Sequence, residues 1–286
     1  MRKIRLILAT AVLSLAGLLF FIITVIAVIP NEFIYDILRQ WIQQKVSLSL
    51  SGEDFKKVFP FGFKMNKLSI SAASRHDREF LYFDTVQVNV NPLYVFAGGI
   101  KVTAYGTAGH GIVQAAMQVK RKKTDAEIHV KDVEMATIPS LNALGLKGAG
   151  ILSGEARFVL QDSCPHGSVK IDGTDIELNS LQFIGPLLRL QEKARLSAAI
   201  DTKDCRLELK GLWVSAQHVS AKLYGTLLMA DKVLDSTMDL TMEISSQEDS
   251  RTSQLNILKL LSEYKKSSNY YLLHIKGTFA RPQLMP

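Results

Sequence analysis

The chain has 286 residues, of which 47% are hydrophobic, and a formal net charge of +7. Charged residues make up 21% of it, a proportion that excludes the strongly charged, apolar-poor class of disordered proteins. Its length is enough for one large domain or two modest ones.

The first predicted element is a transmembrane helix at residues 6–29. This segment carries no charged side chain, and at 1.5 Å per residue it can cross a hydrocarbon core of roughly 30 Å. Arg2, Lys3 and Arg5 precede it without a matching cluster directly after it, which predicts that residues 1–5 are cytoplasmic. The chain is therefore predicted to be a single-pass protein of a bacterial inner membrane. Its main domain would lie in the periplasm, where it meets no nucleic acid.

The alternative for this segment is a cleaved signal peptide. Such peptides have an apolar core of about 7–15 residues followed by small residues at the cleavage site. The segment here is longer, and bulky residues occupy the corresponding positions in Ile26-Ala27-Val28-Ile29. Both differences favour an anchor that remains part of the protein.

An amphipathic helix is predicted for residues 31–46, with Asn31 as its N-cap. Its apolar side chains recur at helical spacing and form one stripe. The stripe consists of Phe33, Ile34, Ile37, Leu38, Trp41 and Ile42. Two roles are open for it: covering the end of the following domain, or lying on the membrane surface with Trp41 at the headgroups.

Residues 47–286 are predicted to form a periplasmic, mainly β domain. Polar and apolar residues alternate in many short runs, of which residues 238–244 are the cleanest, and glycines separate the runs. About a dozen strands joined by hairpins are expected, so the sheet is antiparallel. A helical insertion is predicted at about residues 252–265, and a short helical turn at residues 139–145.

The alternation gives the sheet a long apolar face. The residues predicted to line it are Val86, Val88, Val90, Leu207, Leu209, Met238, Leu240, Met242 and Ile244. Two interpretations are open: these side chains pack in a closed core, or they line a groove that holds acyl chains.

No catalytic or metal-binding motif is found in the sequence. The six histidines are scattered singly, and nucleophile elbows, phosphate loops and metal-ligand spacings are absent. We therefore predict a protein without enzymatic activity, cofactor or metal. Cys164 and Cys205 both fall in the exported part, where the oxidising environment allows a disulfide between them.

The order of these parts resembles the AsmA-like envelope proteins, and within them the type II secretion system protein N (GspN) family. The resemblance extends over nearly the whole chain and is carried by several short segments. They are Pro30-Asn31-Glu32-Phe33-Ile34-Tyr35, Phe59-Pro60-Phe61-Gly62-Phe63, Leu68-Ser69-Ile70, Asn91-Pro92-Leu93, Gly148-Ala149-Gly150-Ile151-Leu152-Ser153-Gly154 and Ile275-Lys276-Gly277-Thr278-Phe279-Ala280-Arg281-Pro282.

The resemblance implies an accessory protein of the cell envelope, with a long twisted sheet shaped as a trough or groove. Its first implied function is docking or assembly within a type II secretion system, with other secretion proteins as partners. The alternative is a lipid-binding or lipid-transfer module that takes phospholipid into an apolar groove. The sequence leaves both functions open.

Overall fold

The structure is a computed structural model that describes most of the chain beyond residue 27. The described residues are Thr24 and residues 28–46, 48–59, 61–72, 75–121, 123–139, 146–161, 164–181, 190–203, 206–217, 219–228, 236–246, 262–278 and 281–285. Most of the predicted transmembrane segment, the turn at residues 140–145 and Cys205 lie outside them. Within these ranges, no helix has the length and apolar character needed to span a membrane.

The helix α1 covers Asn31–Val46, as the apolar stripe predicts. The predicted cap at Asn31 is wrong, because the helix already includes this residue. The buried side-chain oxygen of Asn31 has no hydrogen-bond partner among the described residues. The Pro30 carbonyl instead accepts the first bond, from the Ile34 amide at 3.4 Å.

In the described ranges fifteen strands form one open antiparallel sheet, which confirms the predicted β-rich fold. The strands are β1 (Leu48–Val58), β2 (Gly62–Ala72), β3 (Arg75–Asn91), β4 (Gly99–Ala108), β5 (Gly111–Lys120), β6 (Lys123–Glu134), β7 (Leu146–Gln161), β8 (Cys164–Leu181), β9 (Leu190–Lys203), β10 (Arg206–Ser215), β11 (Val219–Leu228), β12 (Thr237–Ser246), β13 (Lys265–Ser267), β14 (Tyr270–Thr278) and β15 (Arg281–Met285). Short 3-10 helices lie at Pro92–Ala97, Met135–Thr137 and Ser262–Tyr264.

The sheet is a meander from β1 to β12, in which each strand pairs with the strand before it and the strand after it. The order changes only at the C-terminal end. There β14 pairs with β12 along one edge and with β13 and β15 at successive positions along the other. From β1 to β12 the path needs no crossover connection, whereas β12 and β13 lie on opposite sides of β14.

Two details differ from the sequence-based prediction. The sheet has more strands than the predicted dozen, because β13 and β15 are too short to show a clear alternation. In the predicted helical insertion, residues 252–261 lie outside the described residues. Its last part is a 3-10 helix, Ser262–Tyr264, followed by the start of β13 at Lys265.

Candidate functional site

The strand register aligns apolar and glycine residues in a continuous row across one face of the sheet. This row runs through every strand from β2 to β12 and ends on β14. Its members are Met65, Val86, Gly106, Val113, Val130, Gly154, Ile171, Ala198, Leu212, Leu223, Met242 and Leu273. Paired residues of neighbouring strands point to the same side, so these side chains all lie on one face, here called the apolar face.

A second row lies beside the first on the apolar face and extends to β15. Its members are Phe63, Val88, Ala104, Ala115, Ile128, Ala156, Val169, Ile200, Leu209, Gly225, Leu240, Ile275 and Leu284. No charged or hydrogen-bonding side chain interrupts either row. The two rows are therefore apolar across the whole width of the sheet.

Bulges and glycines keep apolar side chains on one face at positions where strict alternation would turn them to the other face. A register shift between Leu209 and Leu212 keeps both side chains on the apolar face of β10. Gly225 has a φ of +142°, and a Cβ there would meet the Asp239 carbonyl oxygen on β12. The close approach of β11 and β12 at this point therefore requires glycine.

The opposite face is polar. Its central row consists of Asn89, Thr103, Ala116, Glu127, Arg157, Ser168, Asp201, Glu208, Thr226, Asp239, Lys276 and Gln283. Exposed ion pairs link neighbours, such as Lys276 Nζ to Asp239 Oδ2 at 3.1 Å. Such pairs contribute little stability individually, but their charges are solvated on this face. The apolar face is therefore the one that gains from being covered by other apolar groups.

Glu127 contacts two neighbouring side chains on the polar face. Its Oε1 atom lies 3.0 Å from His129 Nε2 and accepts a 2.9 Å bond from Arg157 Nε. The hydrogen bond from His129, followed by the charge of Arg157, holds the pKa of Glu127 below its ordinary value. Glu127 and Arg157 also line a shallow hollow of about 600 Å³ over β4–β8. In the part of the chain that is described, no three His, Cys, Asp or Glu side chains form a metal site.

The register places all nine predicted groove residues on the apolar face, but in different surroundings. Val86, Leu209, Met238 and Leu240 are buried, and Val90 is exposed. The remaining four are half-buried: Val88, Leu207, Met242 and Ile244. The sequence therefore predicted which face these residues share, and the structure shows that one face includes both covered and open parts.

The part of the apolar face on β9–β14 is a closed core. Leu209, Met238 and Leu240 are each at most 9% exposed and form one cluster. Side chains of the adjacent strands pack around them, among them Ile200, Leu223 and Ile275. These residues have the burial of an ordinary core, and no ligand is needed to cover them.

The part of the apolar face on β3–β7 is open. Six large apolar side chains there are 36–46% exposed, and they form what we call the open patch. They are Val90, Ile100, Met117, Val119, Ile128 and Leu160. Small residues lie between them, such as Ala104 and Ala115 on the second row. Thr124 lies between Val119 and Leu160 in the same row. A group of exposed apolar side chains of this size marks a binding surface.

No family model, characterised protein or solved structure matches this chain. The resemblance to the GspN and AsmA-like proteins therefore remains a prediction from the segments quoted above.

Sequence reasoning missed five of the six open-patch residues, since it named only Val90. On β5, Val113, Ala115, Met117 and Val119 do alternate with Ile112, Gln114, Ala116 and Gln118. The two alanines and Ile112 weaken the contrast between the faces. The two glutamines four residues apart, Gln114 and Gln118, were the signal that could have identified the outward face.

The helix α1 covers the first end of the sheet. The Tyr35 ring lies 5.7 Å from that of Phe55, and its hydroxyl donates to the Leu50 carbonyl at 3.5 Å. Tyr35 packs on the cluster of Met65, Leu68 and Val86. The helix therefore closes the apolar face at β1–β3, next to the open patch.

The predicted disulfide can be checked directly. Gly167 on β8 pairs with Thr202 on β9, and Lys203 on β9 pairs with Arg206 on β10. The start of β8, where Cys164 lies, is therefore at the same end of the sheet as Lys203 and Arg206, which flank Cys205 in the sequence. We expect the oxidised full chain to migrate faster on a non-reducing gel than on a reducing one. Cys164→Ser should abolish the difference; identical migration of the parent chain under both conditions would contradict the bridge.

Proposed function

We propose that this chain is a lipid-binding module anchored in the bacterial inner membrane, and that its apolar sheet face holds acyl chains in a periplasmic trough. The observation that carries the proposal is the open patch on β3–β7, where six large apolar side chains are 36–46% exposed. Leaving such a surface in water is costly, at about 25 cal/mol for each Å² of apolar area. Acyl chains would cover this surface well, because contact between hydrocarbon groups requires no hydrogen bond.

The composition of the apolar face supports lipid rather than a polar ligand. The two rows that cross the sheet offer neither a charge nor a hydrogen-bond donor, and the rows through the open patch on β3–β7 add only the hydroxyl of Thr124. The charged side chains of the same strands belong to the opposite face, as Glu127 and Arg157 show. Specific small-molecule sites normally include a few convergent polar groups, whereas a hydrocarbon chain needs none.

Site-specific photocrosslinking in growing bacteria tests this function in the full chain. A photoreactive amino acid at Met117 faces the open patch, and one at its neighbour Gln118 faces the polar side. We expect ultraviolet light to give phospholipid adducts, detected by mass spectrometry, at position 117 and not at position 118. Equal yields at both positions, or no lipid at position 117, would overturn the proposal.

We propose docking within a type II secretion system as the second candidate function. The outer edge of β15 supports it, because in the described part of the chain β15 pairs only with β14. A strand with a free edge can accept a strand from a partner protein. Photocrosslinkers at Gln283 and Leu284 should then capture secretion-system subunits. Capture at Gln114, in the middle of the sheet, with none at these two positions would contradict docking by this edge.

A further inference from the structure

We infer that α1 lies in the surface of the lipid bilayer, with Phe33, Ile37 and Trp41 embedded at the boundary between headgroups and acyl chains. The inference rests on the membrane anchor of the proposed function. It does not depend on lipid binding by the sheet.

The apolar stripe of α1 is divided between two surroundings. Ile34, Leu38 and Ile42 of the stripe are half-buried, and so is the adjacent Tyr35, which contacts β1 through Phe55 and Leu50. Phe33, Ile37 and Trp41 are 57%, 51% and 57% exposed. The sequence suggested that the stripe either covers the sheet or faces the membrane. In the structure, one part of it covers the sheet and the other part is free.

The three exposed side chains form a line along the helix. They are spaced four residues apart, so they lie one turn above another over a length of about 12 Å. Phenylalanine, isoleucine and tryptophan are residues with which interfacial helices enter a membrane, and the tryptophan N–H can remain at the headgroups. Glu32, Asp36 and Arg39 are exposed on the rest of the helix surface.

The position of α1 in the chain identifies the bilayer as the surface that covers this line. Residues 6–29 are uncharged and long enough to span a membrane, and only Pro30 separates them from the helix. Lys57 Nζ on β1 donates to the Ile29 carbonyl at 2.6 Å, which ties the end of that segment to the sheet. The exposed line therefore lies within a few residues of the headgroups.

This placement fixes which end of the sheet is near the membrane. The other side of α1 packs on β1 and β2, so these strands stand next to the bilayer. The open patch begins on β3, one strand further on. A helix held in the bilayer surface would place the first strands of the trough where lipids leave the membrane.

Tryptophan fluorescence of the full chain in phospholipid vesicles tests the inference. The chain has two tryptophans, so Trp213→Phe leaves Trp41 as the probe, and Trp41→Phe leaves Trp213 as the matched control. Trp213 lies on the polar face beside Lys222. We expect lipids with brominated acyl chains to quench Trp41 at least about threefold more than Trp213, because an interfacial helix is buried by roughly 5–10 Å.

A second pair of variants, made in the Trp213→Phe background, separates the membrane contact from a general loss of structure. Ile37→Glu places a charge in the exposed line and should reduce the quenching of Trp41 to the level of Trp213. Gln43→Glu adds the same charge on an exposed position outside the line and should leave the quenching unchanged. If brominated lipids quench Trp41 no more than Trp213, the inference is overturned, whether Trp41 then proves accessible to water or covered by protein. A negative crosslinking result at Met117 would overturn lipid binding by the sheet and leave this inference standing.

Discussion

The substitution Ile128→Asp is expected to abolish lipid binding while leaving the fold intact. Ile128 is 36% exposed in the open patch and pairs with Ala115, two residues from Met117. A carboxylate there would have to be desolvated against acyl chains, at a cost of several kcal/mol. We expect phospholipid adducts at position 117 to fall at least about tenfold, which corresponds to about 1.4 kcal/mol. Stability should change by less than about 1 kcal/mol, because the side chain is not part of a core.

The matched control for this change is Gln114→Asp. Gln114 lies on the neighbouring strand β5 but on the polar face, where it pairs with Tyr105 and His129. The same new charge in water should leave the adduct yield at position 117 unchanged. If Ile128→Asp binds lipid as well as the parent chain, acyl chains do not occupy the open patch.

The substitution Leu240→Asp should instead reduce stability and unfold the second half of the sheet. Leu240 is 7% exposed and packed between Leu209 and Met238 in a closed cluster. Removing the side chain creates a cavity, and an unpaired carboxylate would be buried in it. We expect a loss of about 3–5 kcal/mol in the free energy of unfolding. A urea titration followed by the fluorescence of Trp213, in a Trp41→Phe background, measures it.

The control for Leu240→Asp is the adjacent change Asp239→Asn. Asp239 points to the polar face, where its Oδ2 atom lies 3.1 Å from Lys276 Nζ. An exposed pair of this kind contributes about 0–1 kcal/mol, so the midpoint should move little. A Leu240→Asp variant that keeps its stability and loses bound lipid would show that β9–β14 are also part of the lipid site.

The local elements of the fold could be predicted from the sequence, because each depends on a short-range pattern. The helix α1 has the bounds that its apolar spacing indicates, and strand β12 follows the alternation of residues 238–244. The start of α1 was predicted less well. Asn31 is a favourable capping residue, but Pro30 occupies the N-cap position, because its carbonyl accepts the first helical hydrogen bond. Burial of the Asn31 side-chain oxygen is a tertiary effect that propensity does not describe.

The difference between closed and open parts of the apolar face could not be predicted. Alternation shows that Leu240 and Val90 point toward an apolar face, but it is silent on how much their neighbours cover them. Leu240 has bulky partners such as Ile275, while the open patch is interspersed with alanines such as Ala104. How far a side chain is covered by its neighbours depends on the register between strands. Bulges change this register at points such as Gly211.

The meander order has a consequence for how the protein responds to damage. Since each strand is bonded only to its neighbours along the path, the free energy of the sheet approximates a sum of terms between adjacent strands, as in repeat proteins. Loosening one hairpin then destabilises the next one or two strands, and this effect decreases with distance along the sheet. Hydrogen exchange should therefore show graded protection along the chain, with the first strands still protected when the last have opened. A single cooperative transition for every strand would contradict this expectation. A protein of this kind can lose one end of its sheet to a passing lipid or partner and still keep the other end folded.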